Sequence, residues 1–490
     1  MYTDTVLEPG YDFMVEHYFD ALVETNKAWA VMLVEAGIVE PSTGAALMKA
    51  ILELEDEGRA GMGSFDPRFE YFYSHMERYL IEHAGEEVAG EINIGRTRPE
   101  PLARMATRSR LLQVLEGSAQ LRARLLQLAG GETETVMPQW THYQPAQPST
   151  LGHYLVAIHD ALERDCRRLS SAYQTVNQCT LGCGALAGTS YDVDRGRVAQ
   201  LLGFDGFVEN TIDSVSGADW AIEVSNAVAT MMVTISRFCE DLYFWQTWEF
   251  GFVEIGDDYA GSSSMMPQKK NAYPLEYVRA RGGRAIGEAT AALATMHNTN
   301  YQDIKDVEEE VVTPVLRVLD EAIEALRLLE GALASLSFKR DRMLAKAADG
   351  FSTATELAAR IHRSNPSLSY RSAHRVVGAV VRRAVEAGID PLEVKAELVQ
   401  EAAAETLGYR LEELDDDTVR SALDPRAFVD AHDVVGGPAP AVVRKAIEAA
   451  YEGLQRDTDA NERAQAQLQE AARMLAAEVR SVAAAPAPAK

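Results

Sequence analysis

Cysteine is scarce in this chain. Only four cysteines occur among 490 residues, at positions 166, 179, 183 and 239. Their spacing fits no zinc-binding motif, and four cysteines cannot form the disulfide framework of so long a chain. We therefore expect four reduced thiols in the core of a cytoplasmic protein.

Two further absences exclude whole classes of protein. No run of about 18 uncharged apolar residues is present, and the first residues lack the basic and apolar stretches of a secretory signal. Neither a membrane span nor a signal is therefore predicted. Basic residues are the minority, 47 against 74 acidic ones, which gives a formal net charge of −27. Since a phosphate backbone needs a basic surface, we expect no nucleic-acid partner.

The clearest structural pattern is helical. Apolar residues recur at alternating intervals of four and three along residues 224–245 and 312–329. This spacing predicts long helices with an apolar seam that pack at a small angle. Residues 111–128 and 151–169 are also predicted to be long helices. No stretch has the period-two alternation typical of a strand.

The fold is therefore predicted to be all-α with three helical domains. They are an N-terminal helical domain (1–105), a central long-helix bundle (106–360) and a small C-terminal helical domain (361–490) with a disordered, Ala/Pro-rich tail. Helices this long carry more apolar surface than one small bundle can cover. Homo-oligomerisation is the expected consequence.

The chemistry is concentrated in residues 261–271, which read G-S-S-S-M-M-P-Q-K-K-N. Glycine and serines favour a mobile loop rich in hydroxyls and N–H groups. Two lysines and an asparagine follow, just before a predicted helix, and a helix N-terminus attracts anions. Most polar Gly/Ser segments are merely solvated surface loops.

A second polar segment, residues 141–148, reads T-H-Y-Q-P-A-Q-P, and a third, residues 95–100, reads G-R-T-R-P-E. Prolines keep both segments out of helix. A lone histidine such as His142 is more often a structural residue than a functional one.

The order of residues in these segments resembles motifs of the fumarase/aspartase superfamily, in its argininosuccinate lyase branch. Residues 262–271 resemble the G-S-S-x-M-P-x-K-x-N loop, with Ser262 at the glycine position. Residues 141–148 resemble T-H-x-Q-x-A-Q-P, and 95–100 resemble G-R-S-R-N-D. Further likeness at 181–188, 209–216, 368–374 and 436–440 extends it over residues 70 to 450. The resemblance implies a homotetramer whose active sites are shared between subunits, and no metal or organic cofactor.

The resemblance also implies roles for individual residues. Ser263 is expected to be the base, and Glu276 is expected to orient His142. Whether His142 binds a substrate carboxylate or protonates the departing nitrogen is left open. The residues expected to bind the small-molecule substrate are Thr97, Arg98, Thr141, Gln144, Ser264, Lys269, Asn271 and Gln302.

Departures from the family pattern lie on the side that holds the leaving amine. Pro99 replaces an asparagine, Ala218 an arginine, and Thr299 and Asn300 an arginine and an aspartate. We therefore expect a carbon–nitrogen lyase that releases fumarate and an amine other than arginine from an N-substituted aspartate. The alternatives are an ordinary argininosuccinate lyase, a non-catalytic structural homologue and, more weakly, a dehydratase.

Overall fold

The computed structural model describes residues 1–97, 101–411 and 414–485. The first helices are α1 (Glu8–Glu35), α2 (Pro41–Glu57), α3 (Phe72–Ala84) and α4 (Glu86–Gly90). The middle of the chain contains α5 (Leu102–Gly131), α6 (Leu151–Val176), α7 (Arg195–Leu201), α8 (Thr211–Ser216), α9 (Asp219–Gln246), α10 (Tyr273–Met296), α11 (Val312–Ala334) and α12 (Arg340–Ala348). The last helices are α13 (Ala354–Ser364), α14 (Tyr370–Ala387), α15 (Ala396–Leu407), α16 (Asp416–Leu423), α17 (Pro425–Ala431) and α18 (Pro440–Ala483).

Five long helices, α5, α6, α9, α10 and α11, pack against one another as the predicted bundle. Every residue of the two predicted seams is buried, from Val224 to Trp245 on α9 and from Val312 to Leu329 on α11. Helices α9 and α10 run antiparallel, since Tyr243 near the end of α9 contacts Glu276 near the start of α10. The all-α prediction is confirmed.

The helices after residue 350 do not share one core, since Val429 of α17 packs with Val136 and Ala347. Buried residues between Leu357 and Leu423 form a small core of their own. Helix α18 instead returns to the main core, where Asp457 pairs with the fully buried Arg122 of α5 at 2.6 Å. The three domain boundaries stay predictions, and residues 486–490 of the predicted disordered tail lie outside the described residues.

A β-hairpin is the main departure from the predicted helices. Strand β1 (Val136–Thr141) pairs antiparallel with β2 (Gln144–Thr150), with an irregularity between Pro138 and Trp140. The expectation of no strand was wrong here because three prolines and the irregularity remove the period-two pattern. Shorter pairings join β3 (Gln178–Cys179) to β4 (Gly206–Phe207), β5 (Val253–Glu254) to β8 (Ser337–Phe338), and β6 (Gly261–Ser262) to β7 (Lys270–Asn271).

The structure bears on two of the predictions made from composition. All four cysteines are buried and none forms a disulfide, as predicted. Within the described part of the chain, no helix is both long enough and apolar enough to cross a membrane.

Candidate active site

The loop 261–271 is held by a short antiparallel ladder at its base. Gly261 pairs with Asn271, and Ser262 pairs with Lys270. The ring of Tyr273 lies so close to Gly261 that a Cβ atom there would overlap it. The close approach therefore needs glycine at 261, whereas the exposed Ser262 sits in extended backbone where a side chain fits.

Within the loop, the Ser263 hydroxyl faces two backbone N–H groups. Its Oγ accepts hydrogen bonds from the backbone N–H groups of Met265 (3.3 Å) and Met266 (3.0 Å). Donors aimed at an oxygen stabilise its anionic form, so this geometry favours removal of the hydroxyl proton. The neighbouring Ser264 is exposed.

The C-terminal half of the loop borders a groove of about 830 Å³ at the end of α9. Asn271 lines it and donates from Nδ2 to the carbonyl of Gly261 at 3.3 Å. Lys269 is exposed, and no carboxylate pairs with it among the described residues. Four lining residues are basic and one is acidic, although the chain as a whole carries a charge of −27. The basic residues are Lys269, Lys270, Lys339 and Arg342.

Glu276 lies in the first turn of α10, directly after the loop. Its Oε1 accepts a hydrogen bond from the Tyr243 hydroxyl at 3.0 Å, and this bond raises the pKa of Tyr243. Neither a hydrogen bond nor an ion pair joins Glu276 to its expected partner, His142, within one chain. Tyr243 was missed by sequence reasoning because it belongs to no motif.

His142 stands at the tip of the β1–β2 hairpin. His142 and Tyr143 both have positive φ, 53° and 59°, between the paired residues Thr141 and Gln144. Two successive positive φ values make the reversed turn that fits hairpin twist, usually formed by Asn and Gly. Non-glycine residues rarely adopt this conformation, and such strain is often found at functional sites. All four side chains are exposed and available to a ligand or another chain.

Thr97 lies in a different place, a cleft at the start of α9 that Trp220, Gly217 and Asp303 also line. The segment before it is anchored by Arg96, which donates to Asn26 at 2.8 Å. Arg98 lies outside the described residues.

Of the substituted positions, Ala218 directly follows Gly217 of this cleft and is the N-cap residue of α9, while Pro99 lies outside the described residues. Ala218 is 3% exposed. The Thr299 hydroxyl donates to the carbonyl of Met296 at 3.0 Å. Lys305 is held by Glu308 (2.7 Å) and Glu309 (2.5 Å), while Gln302 is exposed.

One chain therefore does not bring the predicted residues together. The loop, Glu276 and the hairpin lie at the C-terminal end of α9, where Trp140 of β1 contacts Trp245. Thr97 lies at its N-terminal end. The 28 residues of α9 at about 1.5 Å per residue separate the two ends by about 42 Å.

Comparison with known proteins identifies the family. A family model described as lyase matches residues 9–287, and the argininosuccinate lyase C-terminal model matches residues 351–430. An argininosuccinate lyase of Methanoculleus marisnigri is 40% identical over 425 residues, 86% of this chain and 84% of the relative. The chain belongs to the argininosuccinate lyase family. Argininosuccinate lyase 1 of Shouchella clausii is 32% identical over 457 residues, 93% of this chain and 91% of the relative.

Solved structures of similar proteins share the fold of this chain. EDDS lyase in complex with formate superposes with a TM-score of 0.88 at 32% identity, covering 96% of this chain and 94% of that one. A variant of EDDS lyase with bound fumarate gives the same values. A class II fumarase from Schistosoma mansoni, 15% identical with a TM-score of 0.68, covers 87% of this chain and 92% of that one and shares the fold. The prediction of a carbon–nitrogen lyase is confirmed by this membership.

Proposed function

We propose that this lyase catalyses a reversible β-elimination, in which an N-substituted aspartate releases fumarate and an amine other than arginine. The geometry of Ser263 carries the proposal, because two N–H groups converge on its Oγ at 3.3 and 3.0 Å. A serine can act as a base only where its oxyanion is stabilised. The EDDS lyase variant with bound fumarate, similar over 96% of this chain, supports fumarate as the product.

The proposed reaction moves two protons and breaks two bonds, one C–H and one C–N. The oxyanion of Ser263 takes a proton from the carbon beside a substrate carboxylate, and the C–H electrons form the new double bond. The C–N electrons leave with the nitrogen, which takes up a proton. Charge that develops on the carboxylate needs cationic and N–H partners, and Lys269 and Asn271 in the basic groove would provide them. Ser264, Thr141 and Gln144 are proposed to complete the substrate contacts.

His142 would act at the same centre, as a carboxylate ligand or as the proton donor to nitrogen. An imidazole suits either role because its pKa ordinarily lies near neutrality. Glu276 is proposed to orient it across a subunit boundary, since no hydrogen bond or ion pair joins the two side chains within one chain. Thr97, Arg98 and Gln302 are likewise proposed to contact the substrate from another subunit, because Thr97 lies at the opposite end of α9 from the loop. Separation of the site residues by about 42 Å along α9 supports a homotetramer with shared sites.

The leaving amine is proposed to differ from arginine. A buried methyl group at Ala218 offers no hydrogen bond where the family pattern has an arginine. The Thr299 hydroxyl is already used by the carbonyl of Met296. Sites that lose polar contacts to a substrate reject that substrate by large factors.

Ordinary argininosuccinate lyase activity is the second candidate. The relative that is 40% identical over 425 residues carries that name, as does the Shouchella clausii relative. On this reading, the four substitutions leave recognition of arginine intact.

Ultraviolet absorbance of fumarate separates the two candidates. We expect little fumarate from argininosuccinate, at least about a hundredfold less efficient turnover than with the best amine adduct. Fumarate absorbance should fall when the enzyme is mixed with fumarate and one member of a panel of amines. Rapid release from argininosuccinate would refute the altered specificity, and inactivity in both directions would favour a non-catalytic homologue.

A further inference from the structure

The two adjacent lysines of the loop have different surroundings. Lys269 is exposed, and none of the described carboxylates pairs with it. Lys270 is 28% exposed, and its Nζ lies 2.7 Å from Asp257 Oδ1 and 3.2 Å from Glu254 Oε1. One lysine is therefore free to meet a ligand, while the other is engaged by the protein.

Both carboxylates belong to the segment that precedes the loop and packs on the bundle. Glu254 lies in β5, which pairs with β8, and its Oε2 is also 2.6 Å from Nζ of Lys339. Asp257 begins a 3₁₀ turn at residues 257–259. Lys270 thus connects the C-terminal end of the loop to strand β5 and to the 3₁₀ turn. We call Lys270, Glu254 and Asp257 the clasp.

The two ends of the loop are held by different contacts. At the N-terminal end, the Tyr273 ring covers Gly261 and leaves no room for a side chain. At the C-terminal end, Lys270 pairs with Ser262 through the backbone, and its side chain pairs with Glu254 and Asp257. Residues 264–269 between the two ends are exposed. The contacts at the two ends of the loop therefore set the position of Ser263 and Lys269.

We infer that Lys270 is a positioning residue that holds the loop where Ser263 and Lys269 can meet the substrate. The inference rests on the proposed function, because it assumes that this loop performs the chemistry. It predicts a loss of turnover without a loss of fold. Ion pairs as exposed as these, with Glu254 47% and Asp257 94% exposed, add little to global stability.

The test compares Lys270→Met with Lys395→Met in the full-length protein. Both variants remove one surface lysine from an ion pair with a carboxylate, but only Lys270 belongs to the loop. We expect kcat/KM to fall about tenfold in Lys270→Met, because the competent loop position becomes a minor population. Lys395→Met should stay within about twofold of the unchanged enzyme. Lys270→Arg should recover most of the lost activity, because it keeps the positive charge.

Salt and pH provide readouts that a merely structural role would not move. Salt screens exposed pairs, so activity should fall towards that of Lys270→Met as salt rises, while the variant responds less. Lys339 and then Lys270 lower the pKa of Glu254 from its ordinary 4.5, while Asp257 and then Glu254 raise the pKa of Lys270 from its ordinary 10.5. The clasp weakens as pH falls through the lowered Glu254 pKa or rises through the raised Lys270 pKa. The ratio of kcat/KM between the unchanged enzyme and Lys270→Met should therefore be constant from about pH 6 to 9.

Hydrogen exchange separates failure of the inference from failure of the proposed function. Amides of residues 263–268 should exchange faster in Lys270→Met than in Lys395→Met, with melting temperatures within about 2 °C of each other. Equal exchange and equal kcat/KM in the two variants would overturn the inference. If no amine adduct is turned over, the proposed function fails, and the exchange comparison alone still decides whether Lys270 positions the loop.

Discussion

Replacement of Ser263 by alanine removes one oxygen atom from the candidate base and nothing else. Its Oγ accepts two backbone N–H groups, from Met265 and Met266, at 3.3 and 3.0 Å. Both donors belong to exposed residues, so water can replace the lost acceptor. The β6–β7 ladder, the Tyr273 contact and the Lys270 ion pairs do not involve the hydroxyl. We therefore expect the loop to keep its anchors.

The expected loss is large in rate and small in stability. A positioned base contributes about 10²- to 10⁴-fold, equivalent to about 3 to 5.5 kcal/mol of transition-state stabilisation. Loss of a hydrogen-bond acceptor whose donors become solvated should cost less than about 1 kcal/mol of unfolding free energy. The rate effect would thus exceed the stability effect several times over.

Fumarate release followed by absorbance, with thermal unfolding in parallel, measures both quantities. Ser262→Ala is the matched control, since it removes the exposed hydroxyl next to Ser263 and should retain activity. A Ser263→Ala variant that retains more than about a tenth of the turnover would refute the assignment of Ser263 as base. A variant that is both inactive and strongly destabilised would show that the hydroxyl holds the loop together.

Two further predictions concern assembly and stability. Mixing inactive Ser263→Ala and Thr97→Arg subunits, then dissociating and reassociating them, should restore about a quarter of the activity if each site takes these residues from different subunits; no recovery would place both in one subunit. Asp457→Ala should destabilise the protein by about 2–3 kcal/mol, because Arg122 stays fully buried without its 2.6 Å partner. Thermal unfolding against Glu452→Ala, an exposed position on the same helix, measures this loss, and equal melting temperatures would contradict it.

The long helices could be predicted because their apolar spacing is local information. Every residue of the α9 and α11 seams is buried, and helix length and seam together dictate a bundle. The hairpin could not be predicted in this way. Its turn consists of His142 and Tyr143 rather than the usual Asn and Gly, and its strands are interrupted by prolines. The β1–β2 pairing is held by tertiary packing on α12 and α17, which no local pattern reveals.

The candidate site was only partly visible in the sequence, because motifs identify residue types but not their partners. Residues 261–271 could be selected from their order, but the contacts of Ser263 with Met265 and Met266 depend on the loop conformation. Tyr243, which binds Glu276, stands 33 positions away along the chain on another helix. The different surroundings of Lys269 and Lys270 likewise required the positions of Glu254 and Asp257.

The distribution of substitutions along the fold has a physical reason. Within one chain, the loop residues lie at one end of α9, and the substituted position Ala218 lies at the other, about 42 Å away. A change at Ala218 would leave undisturbed the ladder, the ring contact and the ion pairs that hold the loop of the same chain. Sites more than about 10 Å apart with no shared partner behave independently. In the proposed shared site, the changed amine-binding residues of one subunit would lie beside the unchanged loop 261–271 of another.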